Sequence, residues 1–208
     1  LDSFAVFERA VATYSRDNNL PMPCMQSIKL GYGDPHAHDF KWGVDREEQV
    51  RHLFGTFKLA DIWATSGDLA HMPPLYDGTL DLLTALKDHG HQLANVTSKP
   101  SGPLAHMLEH YRLQNYFSAI RTSCDIRARG EAEKPAPDQL ASVMRELKRV
   151  PDESVMVGDT VMDIKMGRAA GARAVGVVWG AHPREHLEAA GAHRIVDTRV
   201  LDILHALE

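Results

Sequence analysis

The sequence predicts an α/β fold: a parallel sheet with helices on both faces, joined to a smaller helical domain. Two patterns point there. From Tyr76 onward, apolar residues at helical spacing alternate with short β-branched runs, as in chains that wind a parallel sheet. Before Pro73-Pro74 the spacing is helical and no strong strand intervenes. With 208 residues, 44% of them hydrophobic and 25% charged, the chain is long enough for one core domain and a small insert.

In chain order, Phe4, Phe7, Val11 and Tyr14 share one helix face behind a Ser3 cap, and Val50, Leu53, Phe54 and Phe57 form another. Pro21, Pro23, Gly31, Gly33 and Pro35 mark an irregular connection between them. The expected domains are therefore 1–73, helical, and 74–208, α/β. In the second, Leu80, Leu83 and Leu86 make a helix ended by Gly90, followed by a strand from Leu93 to Thr97. Leu104, Leu108 and Tyr111 make a helix, and Ala119 to Thr122 a strand. Leu140, Val143, Met144 and Leu147 make the helix that feeds a strand from Ser154 to Gly158. A strand from Ala174 to Val178, a helix near Glu185 to Ala190, a strand from Arg194 to Val196 and a closing helix complete the pattern.

The most informative stretch is Val155-Met156-Val157-Gly158-Asp159-Thr160-Val161-Met162-Asp163. An apolar strand covered on both faces ends at Gly158, which permits a tight exit. Asp159 and Asp163 then lie four residues apart at a helix start, with Gly171 as the helix stop. Ligands of open parallel sheets gather outside the carboxyl ends of the strands, so both acids would face the binding crevice. A few carboxylate oxygens there suit Mg²⁺, although acids also favour helix N-termini for the dipole alone. Two further strand ends carry chemistry. Thr97, followed by Ser98, Lys99 and Pro100, places a hydroxyl and backbone N–H groups where a phosphate oxygen could bind. Lys134, in Glu133-Lys134-Pro135, stands just before a helix. Taken singly, these read as a turn-forming threonine and a solvated lysine.

Composition excludes several classes. A formal net charge of -5 with scattered basic residues gives no reason to expect nucleic acid or an anionic membrane as partner. Cys24 and Cys124 lack metal-ligand spacing and make no disulfide framework, so a reducing, cytoplasmic setting is expected. No apolar run approaches the roughly 20 residues of a membrane span, and no signal-peptide pattern is present. Among 12 histidines, His36 with His38 and His106 with His110 could ligate a metal, but neither pair has a third ligand at telling spacing. Lys41 and Trp42 are candidates for substrate contact. Oligomeric state has no signature in the sequence.

Hydroxyl after one strand, lysine before a helix, and Gly158-Asp159-x-x-x-Asp163 after the next strand together resemble motifs II, III and IV of the haloacid dehalogenase-like (HAD) hydrolase superfamily. The chain looks most like its phosphoglycolate-phosphatase-like branch, whose core is Rossmann-like and whose small helical cap is inserted early. The resemblance implies that Thr97, with Ser98 and Lys99, binds phosphate or substrate. It implies that Lys134 neutralises the nucleophile and the transferring phosphoryl group, with Thr97 and Lys134 as the catalytic residues in this chain. Asp159 and Asp163 would hold Mg²⁺ directly or through water. The implied activity is Mg²⁺-dependent hydrolysis of a small phosphorylated metabolite, 2-phosphoglycolate being the expected ester, through an aspartyl-phosphate. Alternatives are a phosphosugar mutase of the same superfamily and a non-catalytic descendant that binds a phosphometabolite or a partner.

Motif I of that superfamily, Asp-x-Asp-Gly-Thr, is missing, and Leu1-Asp2-Ser3 looks like its tail. Tyr76-Asp77-Gly78-Thr79-Leu80 imitates the motif, but Leu75 stands at the nucleophile position, and Asp77 or Thr79 is better read as starting a helix. The resemblance places the motif I strand between the Leu93 and Ser154 strands. The expectation is therefore a preceding segment of roughly ten residues that forms a central strand and carries the nucleophile.

Overall fold

The computed structural model describes residues 3–23, 59 and 72–207. The chain divides into two compact units, Leu1–Leu75 and Tyr76–Glu208. In the first, helix α1 (Ser3–Asp17) buries Ala10, Val11 and Ser15 on one face, with Tyr14 half-buried beside them. The expected face at Val50 to Phe57, and the segment with His36, His38, Lys41 and Trp42, lie outside the described residues.

The second unit alternates helix and strand: α2 (Thr79–Asp88), β1 (Leu93–Val96), α3 (Ser101–His110), β2 (Phe117–Arg121), α4 (Ser123–Arg129), α5 (Asp138–Glu146), β3 (Val155–Gly158), α6 (Val161–Ala169), β4 (Arg173–Val177), α7 (Arg184–Ala189), β5 (Arg194–Val196) and α8 (Ile203–Leu207). All strand pairs are parallel, as the alternation predicts. Helices cover both faces. On one, Leu82 and Leu86 of α2 and Ile203 and Ala206 of α8 pack with Val175, Val177 and Val196, and Leu93, Val155 and Val157 lie against them. On the other, Leu140 and Met144 of α5 pack with Met156 and Met166, and Val96 lies against them. Among the described residues no helix is long and apolar enough to cross a membrane.

Among the described residues the sheet is divided. β1 pairs with β2, whereas β3, β4 and β5 form a separate sheet in that order. Because β1 and β3 contribute to the same two cores, they belong to one layer without being hydrogen-bonded to each other. Their backbone directions show which edges are open. Successive strand residues present their N–H and C=O to opposite sides. The Thr97 N–H donates to the Arg121 carbonyl at 2.9 Å, so the Val96 carbonyl faces away from β2. The Arg173 N–H donates to the Ser154 carbonyl at 3.0 Å, so Val155 and Val157 face away from β4. As expected, β3 is covered on both faces, by α2 and α8 over Val155 and Val157 and by α5 over Met156; Val155 and Val157 are half-buried, and Ala94 of β1 is exposed.

Two local starts are specific. Of the two candidates for beginning α2, Asp77 and Thr79, it is Thr79 that stands first in the helix, behind an N-cap at Gly78 with φ 80°, and its hydroxyl donates to the Tyr76 carbonyl at 2.6 Å. Helix α4, absent from the sequence reading, starts from a reciprocal box in which Thr122 and Asp125 bond each other's backbone N–H. Arg121, 4% exposed, ties β2 to α5 by bonding Ser142 and pairing with Glu146. That tie fixes the base of the loop carrying Lys134.

Candidate active site

Lys134 sits between α4 and α5, beside a cis Lys134–Pro135 bond, and bridges the two half-sheets. Its Nζ donates to the Val96 carbonyl at 2.8 Å and to Asp163 Oδ1 at 2.7 Å. The side chains of Lys134 and Asp163 are only 11% and 9% exposed, so this ion pair is largely desolvated, unlike a surface lysine. The Val96 carbonyl belongs to the open edge of β1, which places the ammonium at the mouth of the gap between β1 and β3.

Thr97 follows Val96. Its Oγ1 accepts the Lys99 N–H at 3.1 Å, closing a turn at the carboxyl end of β1. Ser98 is exposed, Lys99 is half-buried, and the Lys99 carbonyl accepts the Ser123 N–H at 3.2 Å. Thr97, Lys134 and Asp163 are thus linked through one residue and two hydrogen bonds.

The acids are held differently. Asp163 begins α6 in a capping box: its Oδ2 accepts from the Thr160 hydroxyl at 2.7 Å and the Thr160 N–H at 3.2 Å, and Thr160 Oγ1 accepts the Asp163 N–H at 3.2 Å. With Oδ1 on Lys134, both its oxygens are engaged. Gly158 is needed for close approach, since a Cβ there would lie 2.2 Å from the Asp163 Cβ. Asp159 has one carboxylate oxygen, Oδ2, accepting the Ala181 N–H at 2.9 Å. Burial, and then the Asp163 charge, push its carboxyl above the ordinary aspartate range, outweighing that hydrogen bond and the Lys134 charge. An acid in this state gains from a nearby cation, so the donor set fits a hard ion that takes one or two carboxylates and completes its shell with water and phosphate. Among the described residues no group of three or more His, Cys, Asp or Glu is gathered for a metal, and the His106 and His110 pair on α3 remains without a third ligand.

Sequence reasoning placed Thr160 in the Gly158–Asp163 motif without its capping role and missed Gly180, Ala181 and His182. The Thr-x-x-Asp spacing of a capping box would have given that role. The other three act across 20 or so residues of chain, where no local pattern speaks for them.

Residues 26–177 match the family model of the haloacid dehalogenase-like hydrolases. The chain belongs to the haloacid dehalogenase-like hydrolases. Over 201 residues, 95% of this chain and 86% of the relative, it is 36% identical to "Probable phosphatase IndB" of Dickeya dadantii (strain 3937). Over 182 residues, 87% of this chain and 67% of the relative, it is 32% identical to the phosphoglycolate phosphatase of Escherichia coli O157:H7. A solved haloacid dehalogenase-like hydrolase from Bacteroides fragilis superposes with a TM-score of 0.79 at 21% identity, covering 97% of this chain and 93% of that one, which speaks for the fold. In this HAD-like hydrolase, the groups singled out from the sequence after β1, before α5 and after β3 stand around one end of the divided sheet.

Proposed function

We propose that this HAD-like hydrolase is a Mg²⁺-dependent phosphatase acting on a small phosphate monoester, with 2-phosphoglycolate as the first substrate to test. The observation that carries the reading is Lys134: a buried ammonium shared between the open edge of β1 and Asp163. Relatives named as phosphatases support it. In this reading the Thr97 hydroxyl and the turn through Ser98 and Lys99 hold the phosphate oxygens. Lys134 offsets charge on the transferring group, and Asp163 fixes the lysine by an ion pair and a capped helix start. Asp159, with Asp163 through water, would hold Mg²⁺, which when bound supplies charge stabilisation to a phosphoryl group in flight.

The nucleophile is proposed to lie on a parallel strand that precedes Leu1 and seats between β1 and β3. Each buried polar group left unmade there costs about 1 to 3 kcal/mol, and such a strand would pair them. Its carboxyl end would come beside Lys134, where a carboxylate could attack phosphorus and break its bond to the ester oxygen, which leaves as the alcohol after taking a proton; water would then hydrolyse the aspartyl-phosphate to phosphate and the free carboxylate. Residues 1–73 are proposed as the cap that excludes water and selects the leaving group.

The test uses the protein with the preceding residues encoded by its gene and measures phosphate release from a panel of monoesters, with and without Mg²⁺. The expected result is Mg²⁺-dependent release that includes 2-phosphoglycolate and falls about 100-fold or more in Asp159→Ala. Undiminished turnover in that variant overturns the metal assignment. Phosphate-ester binding without release from any ester replaces the hydrolase with a phosphometabolite-binding protein.

A further inference from the structure

Beyond the residues that would touch substrate, the turn leaving β4 grips Asp159 from several sides. Ala181 and His182, both buried at 0% and 3% exposure, donate consecutive backbone N–H groups to Asp159: Ala181 to Oδ2 at 2.9 Å and His182 to the main-chain carbonyl at 3.0 Å. Gly180 lies flat against the same side chain. A Cβ at Gly180 would stand 2.2 Å from Asp159 Oδ2 and 2.5 Å from its Cγ, so no other residue fits without moving the carboxylate. The His182 ring reaches past Asp159 and accepts, through Nδ1, the Val161 N–H at 2.9 Å. Val161 opens α6, and its N–H is one of the donors that a helix start leaves without an internal partner. One residue thereby fastens the chain on both sides of the Asp159–Thr160 step. The turn is itself tethered: the Tyr76 hydroxyl donates to the Trp179 carbonyl at 3.2 Å, and the two rings meet edge to face at 6.3 Å.

We propose that Trp179–His182 is a positioning device for Asp159, with His182 as its principal positioning residue and Tyr76 as its anchor. The device sets the direction of the one carboxylate that Asp163, tied to Lys134 and Thr160, cannot replace. It rests on reading Asp159 as the cation ligand. Outer groups that orient a ligand typically change metal affinity by about 10 to 100-fold when removed.

The experiment is Mn²⁺ binding to the full chain followed by electron paramagnetic resonance, which needs no turnover. His182→Ala is expected to weaken Mn²⁺ binding by about tenfold or more. His182→Asn, whose Oδ1 can take the place of Nδ1 as acceptor for Val161, is expected to stay within about threefold. Gly180→Ala is expected to match His182→Ala, and Tyr76→Phe to fall between. Parallel losses in the Ala and Asn variants of His182, tracking their melting temperatures, would mean a merely structural role and overturn the proposal. If His182→Ala does not fold, Gly180→Ala decides: unchanged Mn²⁺ affinity in that variant refutes the device. Wild-type binding that is lost in Asp159→Ala but kept in His182→Ala and Gly180→Ala overturns this inference alone. Absence of any Mn²⁺ binding by the wild type overturns it together with the reading of Asp159.

Discussion

Removing the Lys134 ammonium tests the centre of this site most directly. In Lys134→Met the stem is kept and the charge lost, so Asp163 Oδ1 and the Val96 carbonyl both lose a donor. Breaking a desolvated ion pair from one side costs about 3 to 5 kcal/mol, because the remaining charge stays buried alone. Exposure of only 11% and 9% puts this pair in that class rather than among surface pairs worth under about 1 kcal/mol. Asp163→Asn should cost less, about 2 kcal/mol, since Lys134 keeps the Val96 carbonyl and an amide oxygen can still face Thr160. The double variant leaves no lone charge behind, and its cost should fall short of the sum of the two singles by about 2 kcal/mol. Urea unfolding followed by circular dichroism, with unchanged slope as the control for denatured-state effects, measures all four corners. Costs that add to within about 0.5 kcal/mol would show that the two groups act separately and would refute the bridge between the half-sheets.

Two further outcomes follow from the same geometry. Because the folded carboxyl of Asp159 titrates above its ordinary value of 3.8, the native state binds that proton more tightly than the unfolded chain. Stability from this group is therefore lost as pH rises from about 4 through the raised value. Asp159→Asn should remove that slope, raise the melting temperature at neutral pH by about 2 to 4 °C without metal, and abolish stabilisation by Mg²⁺; an unchanged difference curve across that window refutes the cause assigned. Gly167 of α6 lies so close to β3 that an added Cβ would stand 2.8 Å from the Met156 Cβ. Gly167→Ala should lower stability by about 1 kcal/mol despite its better helix propensity, read by calorimetry, and a more stable variant would refute that close contact.

Much of the core was legible because its signals are local. Arg194 to Val196 forms β5 as expected, and the strands expected at Ser154 and Ala174 begin one residue away, at Val155 and Arg173, since short β-branched runs end at glycine or polar turns. Lys134 does meet Asp163 and the carbonyl of Val96, next in the chain to Thr97, although by itself it reads as a solvated side chain; the order of the motifs, and not the residue, made it a candidate. What stayed hidden depends on partners far along the chain. Gly158 appears to the eye as a turn glycine, yet it is the Asp163 side chain that excludes a Cβ there. The histidine that fastens Val161 sits 21 residues away. The split between β1 and β3 was legible in another way: the resemblance places the motif I strand between them, and the two strands are not paired with each other.

A slot between two strands also bears on aggregation. While the proposed central strand is not seated, the margins of β1 and β3 stand unlaced, and an extended peptide from a neighbouring copy can stitch itself in there. Seating that strand would close both margins at once, so the segment proposed to carry the reactive carboxylate would also keep copies from clinging together.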